Sequence, residues 1–372
     1  MLSAAASEHH GRFRMWPVTE TAALHPMLQA MGLRLPPEAI DGTTSSAPAL
    51  SDAMVSVGPA GRGGTGSFLG PDGLIITNHH VALDAVRQAS DVDNDYSMNG
   101  FVANSRSEEL AGPDYEVRIT RACDDVSERV LAVSRAESEP LARANKVQQV
   151  CREIVAEAEA ALVGAEGMRC SVSEMSADKS YVLFTYERLR DVRIVYVPPM
   201  SLGNFGGDID NFEWPRHSAD FTLLRAYVAP DGSSADPNPA NIPYKPTSFL
   251  RASASGAAPG DFVFLLGFPG RTMRYAPSCR LAFESDVAVP HLAKDFGRKL
   301  ARIAASSKNG ADRAITLKLL SAKKSLANEH KRSSGKRVMM RKLGLVAERR
   351  AEEEALAAAA PESAAILQVL RE

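Results

Sequence analysis

Two short apolar runs separated by a tight turn place the strongest constraint on how this chain folds. The segment "GSFLG" is followed by the turn sequence Pro-Asp-Gly (71–73) and then by "LIITNHH", which ends at His79 and His80. Pro, Asp and Gly favour turns because each adopts a turn conformation at low cost. Apolar runs of this length on both sides of a turn indicate paired strands. Residues Gly66 to His80 are therefore predicted to form a β-hairpin, with the two histidines at the end of its second strand.

Further strand-like segments recur along the chain, and helical patterns interrupt or follow them. The additional strand candidates are "AMVSVGP", "YVLFTYERL", "RIVYVPP", "DFTLLRAYV" and "DFVFLLGFPG". Between about 124 and 163, apolar residues recur at helical spacing, which indicates a helical insertion. After Pro277 the sequence becomes helical and charged. Many short strands separated by turns favour a barrel or sandwich over a doubly wound fold, so the predicted class is mainly β with added α.

The composition excludes several classes of function. Among 372 residues the formal net charge is only -2, which gives no bulk basic surface for nucleic acid. No apolar stretch approaches the roughly 20 residues that a membrane span needs. No secretory signal is visible at the start, so the compartment stays unknown. The four cysteines match no zinc pattern and leave disulfides open: Cys123, Cys151, Cys170 and Cys279.

The adjacent histidines are candidates for general-base chemistry. Histidine titrates near neutral pH, which suits it to take a proton from a nucleophile. Neighbouring side chains of an extended segment point to opposite faces, so only one of the pair can enter a given cleft. The same geometry argues against a two-histidine metal site, and no metal or other cofactor is predicted. His80, which precedes the apolar Val81, is the candidate base, and His79 is its packing neighbour.

A histidine base needs a carboxylate on its other ring nitrogen to fix its tautomer. The segment "HSADFTLLRAYV" places Asp220 immediately before an apolar strand and downstream of His80. Asp220 is therefore the candidate acid. The preceding segment, "SLGNFGGDIDNFEWPRH", combines glycines, carboxylates, asparagine and aromatic residues, which is a composition suited to a receptor for a peptide amino terminus. The same composition also fits a compact loop with a purely structural role.

Together these two motifs resemble those of the dipeptidyl-peptidase 7 and dipeptidyl-peptidase 11 family of serine exopeptidases. The resemblance spans about Met15 to Thr272. It implies a chymotrypsin-like double β-barrel, interrupted by a helical domain that caps the cleft, and removal of dipeptides from peptide amino termini. The resemblance implies that peptides with a free amino terminus are the binding partners. Members of this family are exported, and the resemblance leaves open whether the chain forms a homodimer.

By motif position the resemblance assigns roles to four residues. His80 would be the general base and Asp220 its carboxylate partner. Asn211 would bind the α-amino group of the substrate, and Phe212, where relatives often have Trp, would wall that site. Relatives often carry a cysteine pair at the positions that are Gly64 and Val81 here, so that bridge is expected to be absent.

The resemblance also sets the expected domains. Residues 1–53 would be a leader segment and residues 54–275 an incomplete protease barrel with the insertion at about 124–163. Residues 276–372 would be the truncated start of the capping helices. No nucleophile is found in the chain, because the family's Gly-Asn-Ser-Gly-Ser-like loop has no equivalent. Ser67 belongs to the hairpin that precedes the base, and Ser255, Ser333 and Ser334 lack the glycine frame of that loop.

Three hypotheses follow from these residues. The first is an amino-terminal fragment of a serine dipeptidyl peptidase, which carries base and acid but is inactive by itself. The second is a peptide-binding pseudoprotease without catalysis. The third is an HtrA-like endopeptidase, against which the long separation of His80 from Asp220 argues.

Overall fold

The structure, a computed structural model, divides the chain into two compact units. The first comprises Met1–Gly203 with Ala219–Pro269, and the second comprises Asn204–Ser218 with Gly270–Glu372. The residues that the structure describes are 15–42, 47–59, 63–91, 93–162, 164, 167–176, 179–270, 276–308 and 313–371. The first fourteen residues of the predicted leader, the predicted end of the insertion at 163 and the predicted boundary at 275 lie outside them.

The first unit is built on one antiparallel sheet. Its strands, within the described residues, are β1 Met54–Pro59, β2 Gly64–Phe68, β3 Leu74–Thr77, β4 Phe101–Val102, β5 Leu110–Ala111, β6 Tyr115–Asp125, β7 Met168–Ser176, β8 Ser180–Leu189, β9 Asp191–Val197, β10 Thr222–Val228 and β11 Ile242–Pro243. Their order is β4-β9-β10-β3-β2-β1-β6-β8-β7, with β11 beside β10 and β5 beside β9. The expected mixture of β and α is confirmed at this level.

Alternating apolar residues on the central strands form the main core. Val55 and Val57 of β1 face Ile119 and Val117 of β6 across the ladder, and all four side chains are buried. Burying a side chain of this size contributes about 1.5–3 kcal/mol. This pair of strands therefore gives firm support to β2 and β3, which pair next to it.

The predicted hairpin is confirmed, but its end differs from the prediction. β2 and β3 pair with Gly66 opposite Thr77, and Gly73 takes the positive φ of +73° that the turn requires. His79 and His80 do not end the strand: they are the first two residues of a helix. Asn78 has an extended backbone just before the helix and its side chain makes no capping hydrogen bond there, whereas from Ala82 onward alanine, leucine and arginine favour a helix.

Seven α-helices of the first unit lie among the described residues, together with three short 3₁₀-helices. The α-helices are α1 Thr21–Ala30, α2 Pro37–Ile40, α3 His79–Ala89, α4 Tyr96–Asn99, α5 Ser127–Ala136, α6 Pro140–Ala161 and α7 Met200–Gly203. The region predicted as a helical insertion contains α5 and α6, which are separated where Glu139 caps the N-terminus of α6. Val150 and Ile154 of α6 are buried against Tyr181 and Leu183 of β8.

One predicted strand is wrong in this structure. Residues 261–270, "DFVFLLGFPG", form no regular secondary structure. A strand needs a hydrogen-bonding neighbour, and no described strand pairs with this segment. Its apolar side chains are consequently uncovered: Val263 is 70% exposed and Leu265 is 98% exposed.

The second unit is helical, as the sequence after Pro277 predicts. Its described elements are α8 Gly207–Asp210, α9 Ser278–Phe283, a π-helix Glu284–Ala288, α10 Val289–Lys308, α11 Arg313–Lys342, α12 Leu345–Ala359 and α13 Pro361–Arg371. The buried Glu353 of α12 accepts hydrogen bonds from the backbone N–H and the hydroxyl of Ser278, which joins α12 to α9. None of the described helices is long and apolar enough to cross a membrane. All four cysteines are half-buried free thiols.

Candidate active site

Sheet register brings the candidate base and acid together. β3 and β10 pair with Thr77 opposite Thr222, so the residues just after β3 lie beside those just before β10. Nδ1 of His80 lies 2.8 Å from Oδ2 of Asp220. The backbone N–H of His80 donates to Oδ1 of the same carboxylate at 3.1 Å. Two contacts to one carboxylate fix both the position and the orientation of the imidazole.

The carboxylate of Asp220 is held in its charged form. Burial alone raises its pKa, but the hydrogen bonds from the ring and backbone of His80 outweigh that effect, and the pKa lies below its ordinary value of 3.8. The side-chain amide of Asn78 donates to Oδ2 of Asp220 at 3.2 Å. An ionised carboxylate only accepts hydrogen bonds, so Nδ1 of His80 must donate to it. The neutral ring therefore carries its proton on Nδ1 and leaves Nε2 as the acceptor.

Nε2 is the open atom of this pair. The His80 side chain is 58% exposed, whereas that of Asp220 is 31% exposed. Among the described residues none forms a hydrogen bond with Nε2 of His80. An oriented imidazole with a bare acceptor nitrogen is the arrangement that a general base needs.

His79 has a different environment from His80. Its side chain is fully buried, and Gly203 of α7 packs so closely that a Cβ at Gly203 would lie 2.7 Å from the ring. Successive helical residues differ by about 100° in direction, so one histidine enters the interior while the next faces outward. The sequence predicted different environments for the two histidines from strand geometry, whereas in the structure helical geometry separates them.

Two further contacts hold the first turn of α3. The buried Tyr115 donates its hydroxyl proton to the carbonyl of Val81 at 2.6 Å. Gly64 of β2 lies directly against Val81, and a Cβ at Gly64 would be 3.3 Å from the Val81 Cβ and 2.5 Å from Cγ2. The valine therefore occupies the space beside a residue that has no side chain.

The candidate substrate-binding residues belong to the second unit. Asn211 donates from Nδ2 to Oδ1 of Asn328 on α11 at 2.8 Å and accepts at Oδ1 from Arg216 at 2.9 Å. Phe212 is 58% exposed and has a positive φ of 60°. A bulky residue in the left-handed region costs about 1–3 kcal/mol, and such strain is concentrated at functional sites.

Sequence reasoning missed three residues that contact the candidate site residues. Asn78 was detectable, because it stands in the motif itself and precedes a helix. Arg216 also lies within the quoted motif, but nothing in the pattern indicates its contact with Asn211. Asn328 gave no signal, because 117 positions separate it from Asn211. No group of three or more His, Cys, Asp or Glu side chains among the described residues is arranged to hold a metal ion.

Comparisons with known proteins agree on one family. A sequence profile described as peptidase S46 matches residues 11–371. The Asp/Glu-specific dipeptidyl-peptidase of Shewanella putrefaciens is 36% identical over 321 residues, which cover 86% of this chain and 42% of the relative. Dipeptidyl-peptidase 7 of Porphyromonas gingivalis is 32% identical over 330 residues, with coverages of 89% and 45%.

A solved structure shows the same relationship. The crystal structure of Porphyromonas endodontalis DPP11 in complex with the dipeptide Arg-Glu matches with a TM-score of 0.84 and 27% identity, over 94% of this chain and 49% of that one. The chain therefore spans somewhat less than half the length of the relatives it matches.

Proposed function

Because this chain belongs to the peptidase S46 family, we propose that it supplies the general base and the orienting acid of a serine-type dipeptidyl peptidase. The observation that carries the proposal is the 2.8 Å contact between Nδ1 of His80 and Oδ2 of Asp220, with Nε2 left open. The names of the S. putrefaciens and P. gingivalis relatives support the reaction class.

The chemistry proposed for the pair follows from its protonation states. Nε2 of His80 takes the proton of a serine hydroxyl, and the serine oxygen attacks the carbonyl carbon of the second substrate residue. The negative charge of Asp220 stabilises the imidazolium that forms. Nε2 then returns the proton to the leaving amine, which leaves the dipeptide as an acyl ester on the serine. His80 next activates a water, which hydrolyses the ester and releases the dipeptide.

We propose that the nucleophilic serine lies outside these 372 residues. Three of the four serines named above have unsuitable surroundings: Ser333 is buried within α11, and the hydroxyl of Ser255 contacts that of Ser253 at 2.9 Å. Ser67 lies within the paired strand β2. The chain's short share of its relatives' length is consistent with this proposal.

We further propose that Asn211 receives the α-amino group of the substrate and that Phe212 walls the same site. The exposed ring of Phe212 and the strained backbone beneath it support this role. The oxygen of Asn211 accepts one hydrogen bond from Arg216 and has a second lone pair for an ammonium donor.

The barrel type and the domain boundaries are also proposals. We propose that the antiparallel sheet belongs to a chymotrypsin-like double barrel, with residues 1–53 as a leader, 54–275 as the barrel region and 276–372 as capping helices. The uncovered apolar side chains of 261–270 support it, since this strand-like segment has the composition of a barrel strand that lacks its neighbours.

The test of substrate class is the binding of two peptides to the 372-residue chain. One is the dipeptide Arg-Glu, which the P. endodontalis relative binds, and the other is its N-acetylated form. We expect the free amine to be preferred by about tenfold, because a hydrogen bond to a charged group is lost on acetylation. Titration calorimetry or chemical-shift mapping measures the two dissociation constants.

Two variants sharpen this test. Asn211→Ala should abolish the preference, whereas Asn145→Ala, an exposed asparagine on α6, should retain it. Equal binding of the two peptides by the unaltered chain would show that the proposed recognition is wrong. Chromogenic dipeptidyl substrates provide a second measurement: turnover above that of a His80→Ala variant would contradict the proposed location of the serine.

A further inference from the structure

Arg216 joins two distant parts of the loop formed by residues 204–218. Its Nη1 donates to Oδ1 of Asn211 at 2.9 Å, and its Nη2 donates to Oδ1 of Asn204 at 3.2 Å. Its Nε is buried and has no hydrogen-bonding partner among the described residues. The planar guanidinium is therefore committed to two asparagine side chains, at the start and in the middle of the loop.

The chemistry of arginine fixes which way the Asn211 amide points. A guanidinium has only donors, so the atom that faces it must be an acceptor. The side of Asn211 that meets Arg216 is consequently Oδ1, and the opposite side is the Nδ2 donor. Nδ2 in turn requires an acceptor, which Oδ1 of Asn328 provides at 2.8 Å. One arginine thus sets the orientation of the Asn204 and Asn211 amides directly and that of Asn328 through Asn211, because the hydrogen-bond network decides which way an amide points.

Other contacts hold the loop without fixing this amide. Lys331 donates to the carbonyl of Ile209 and lies 3.1 Å from Oε1 of Glu213. Lys331 and Asn328 are three residues apart on α11 and therefore share one face of that helix. The loop's general position accordingly has support that does not depend on Arg216.

We propose that Arg216 is a positioning residue that presents the oxygen of Asn211, rather than its NH₂ group, to the substrate's ammonium group. The inference rests on the amino-terminus site proposed above. With the amide reversed, Asn211 would direct donors at a group that itself has only donors, and recognition of a free amine would fail.

The charge of Arg216 does not oppose this role. The loop carries three carboxylates, Asp208, Asp210 and Glu213, against the guanidinium of Arg216 and the ammonium of Lys331, which pairs with Glu213. Its formal balance is therefore negative, which favours a cationic ligand. The terminal nitrogens Nη1 and Nη2 of Arg216 already donate hydrogen bonds to the side-chain oxygens of Asn211 and Asn204.

The experiment compares the unaltered chain with Arg216→Met and Arg216→Lys. The first readout is the pair of side-chain NH₂ resonances of Asn211 in the unliganded chain, in ¹⁵N spectra. We expect them to change in both variants, because methionine has no donor and lysine has no planar fork for two amides. The second readout is the ratio of the dissociation constants of N-acetyl-Arg-Glu and Arg-Glu, which should fall from about tenfold to about one. Binding of the acetylated peptide should stay within about twofold of the unaltered chain.

Controls separate positioning from stability. Arg332→Met alters an exposed arginine of α11 that pairs with Glu329, and it should change neither readout. Asn204→Ala removes the other hydrogen-bond partner of the guanidinium and should produce smaller changes in both readouts. It replaces Arg216→Met as the test if that variant fails to fold. Unchanged NH₂ resonances in Arg216→Met, or full restoration by lysine, would overturn the inference. Absence of a free-amine preference in the unaltered chain would instead refute the proposed function, while the unliganded spectra would still decide whether Arg216 orients the Asn211 amide.

Discussion

A disulfide between positions 64 and 81 should raise the free energy of unfolding by about 3 kcal/mol, the value expected for closing a loop of about 18 residues. A Cβ at Gly64 would lie 3.3 Å from the Cβ of Val81, close to the separation of about 3.5–4.5 Å found in disulfides. The double substitution Gly64→Cys and Val81→Cys also removes the valine methyl that would obstruct a larger residue at 64. Denaturant unfolding of the oxidised double variant measures the gain.

The same protein after reduction provides the control. Reduction should abolish the gain, while the unaltered chain, whose four cysteines are free thiols, should be insensitive to it. Gly64→Cys alone should destabilise, because its Cβ meets Cγ2 of Val81 at 2.5 Å. Failure of the double variant to form a disulfide would show that the first turn of α3 does not lie against β2 as described.

Gly203→Ala should destabilise the fold by about 1–3 kcal/mol, the usual cost of overpacking an interior. The added Cβ would lie 2.7 Å from Cγ and 2.9 Å from Nδ1 of the buried His79 ring, and a fully buried ring has no room to retreat. Because His79 precedes His80, displacement of the ring should also disturb the contact with Asp220. Chemical denaturation measures the first effect and the His80 resonances report the second.

Gly335→Ala is the matched control for this substitution. Gly335 lies within α11, and apart from its chain neighbours and the backbone of its own helix nothing lies within 4 Å of the position that its Cβ would take. Alanine there should stabilise by about 0.8–1 kcal/mol through helix propensity alone. In a Gly203→Ala background, His79→Ala should cost less than it does alone, because the two residues share one contact. Strict additivity of the two effects would contradict the proposed clash.

Local sequence predicted the parts of the fold that depend on neighbouring residues. The hairpin of β2 and β3 was predictable because its turn chemistry lies between its strands. The helices after Pro277 were predictable from their period. The strand predicted at 261–270 failed because a strand also depends on a partner, which periodicity does not reveal.

In the candidate site, too, the sequence indicated individual residues but not the contacts between them. His80 and Asp220 were predictable from their motifs, but their contact depends on the pairing of β3 with β10 across more than a hundred residues. The helical start at His79 was missed because Asn78 was interpreted as part of a strand. The amide contacts of Asn211 with Arg216 and Asn328 depend on side-chain geometry, which no spacing rule encodes.

Asp220 should hold the His80 ring with its proton on Nδ1, so that Nε2 is free to accept a proton from a nucleophile. The measurement is ¹⁵N NMR of the histidine-labelled chain at a pH at which the His80 ring is neutral, with Asp220→Ala for comparison and Asp236→Ala, a carboxylate paired with Arg190, as the control. We expect a protonated Nδ1 and a bare Nε2 in the unaltered chain and in Asp236→Ala, and loss of that preference in Asp220→Ala. A proton on Nε2 of His80 in the unaltered chain would contradict this expectation.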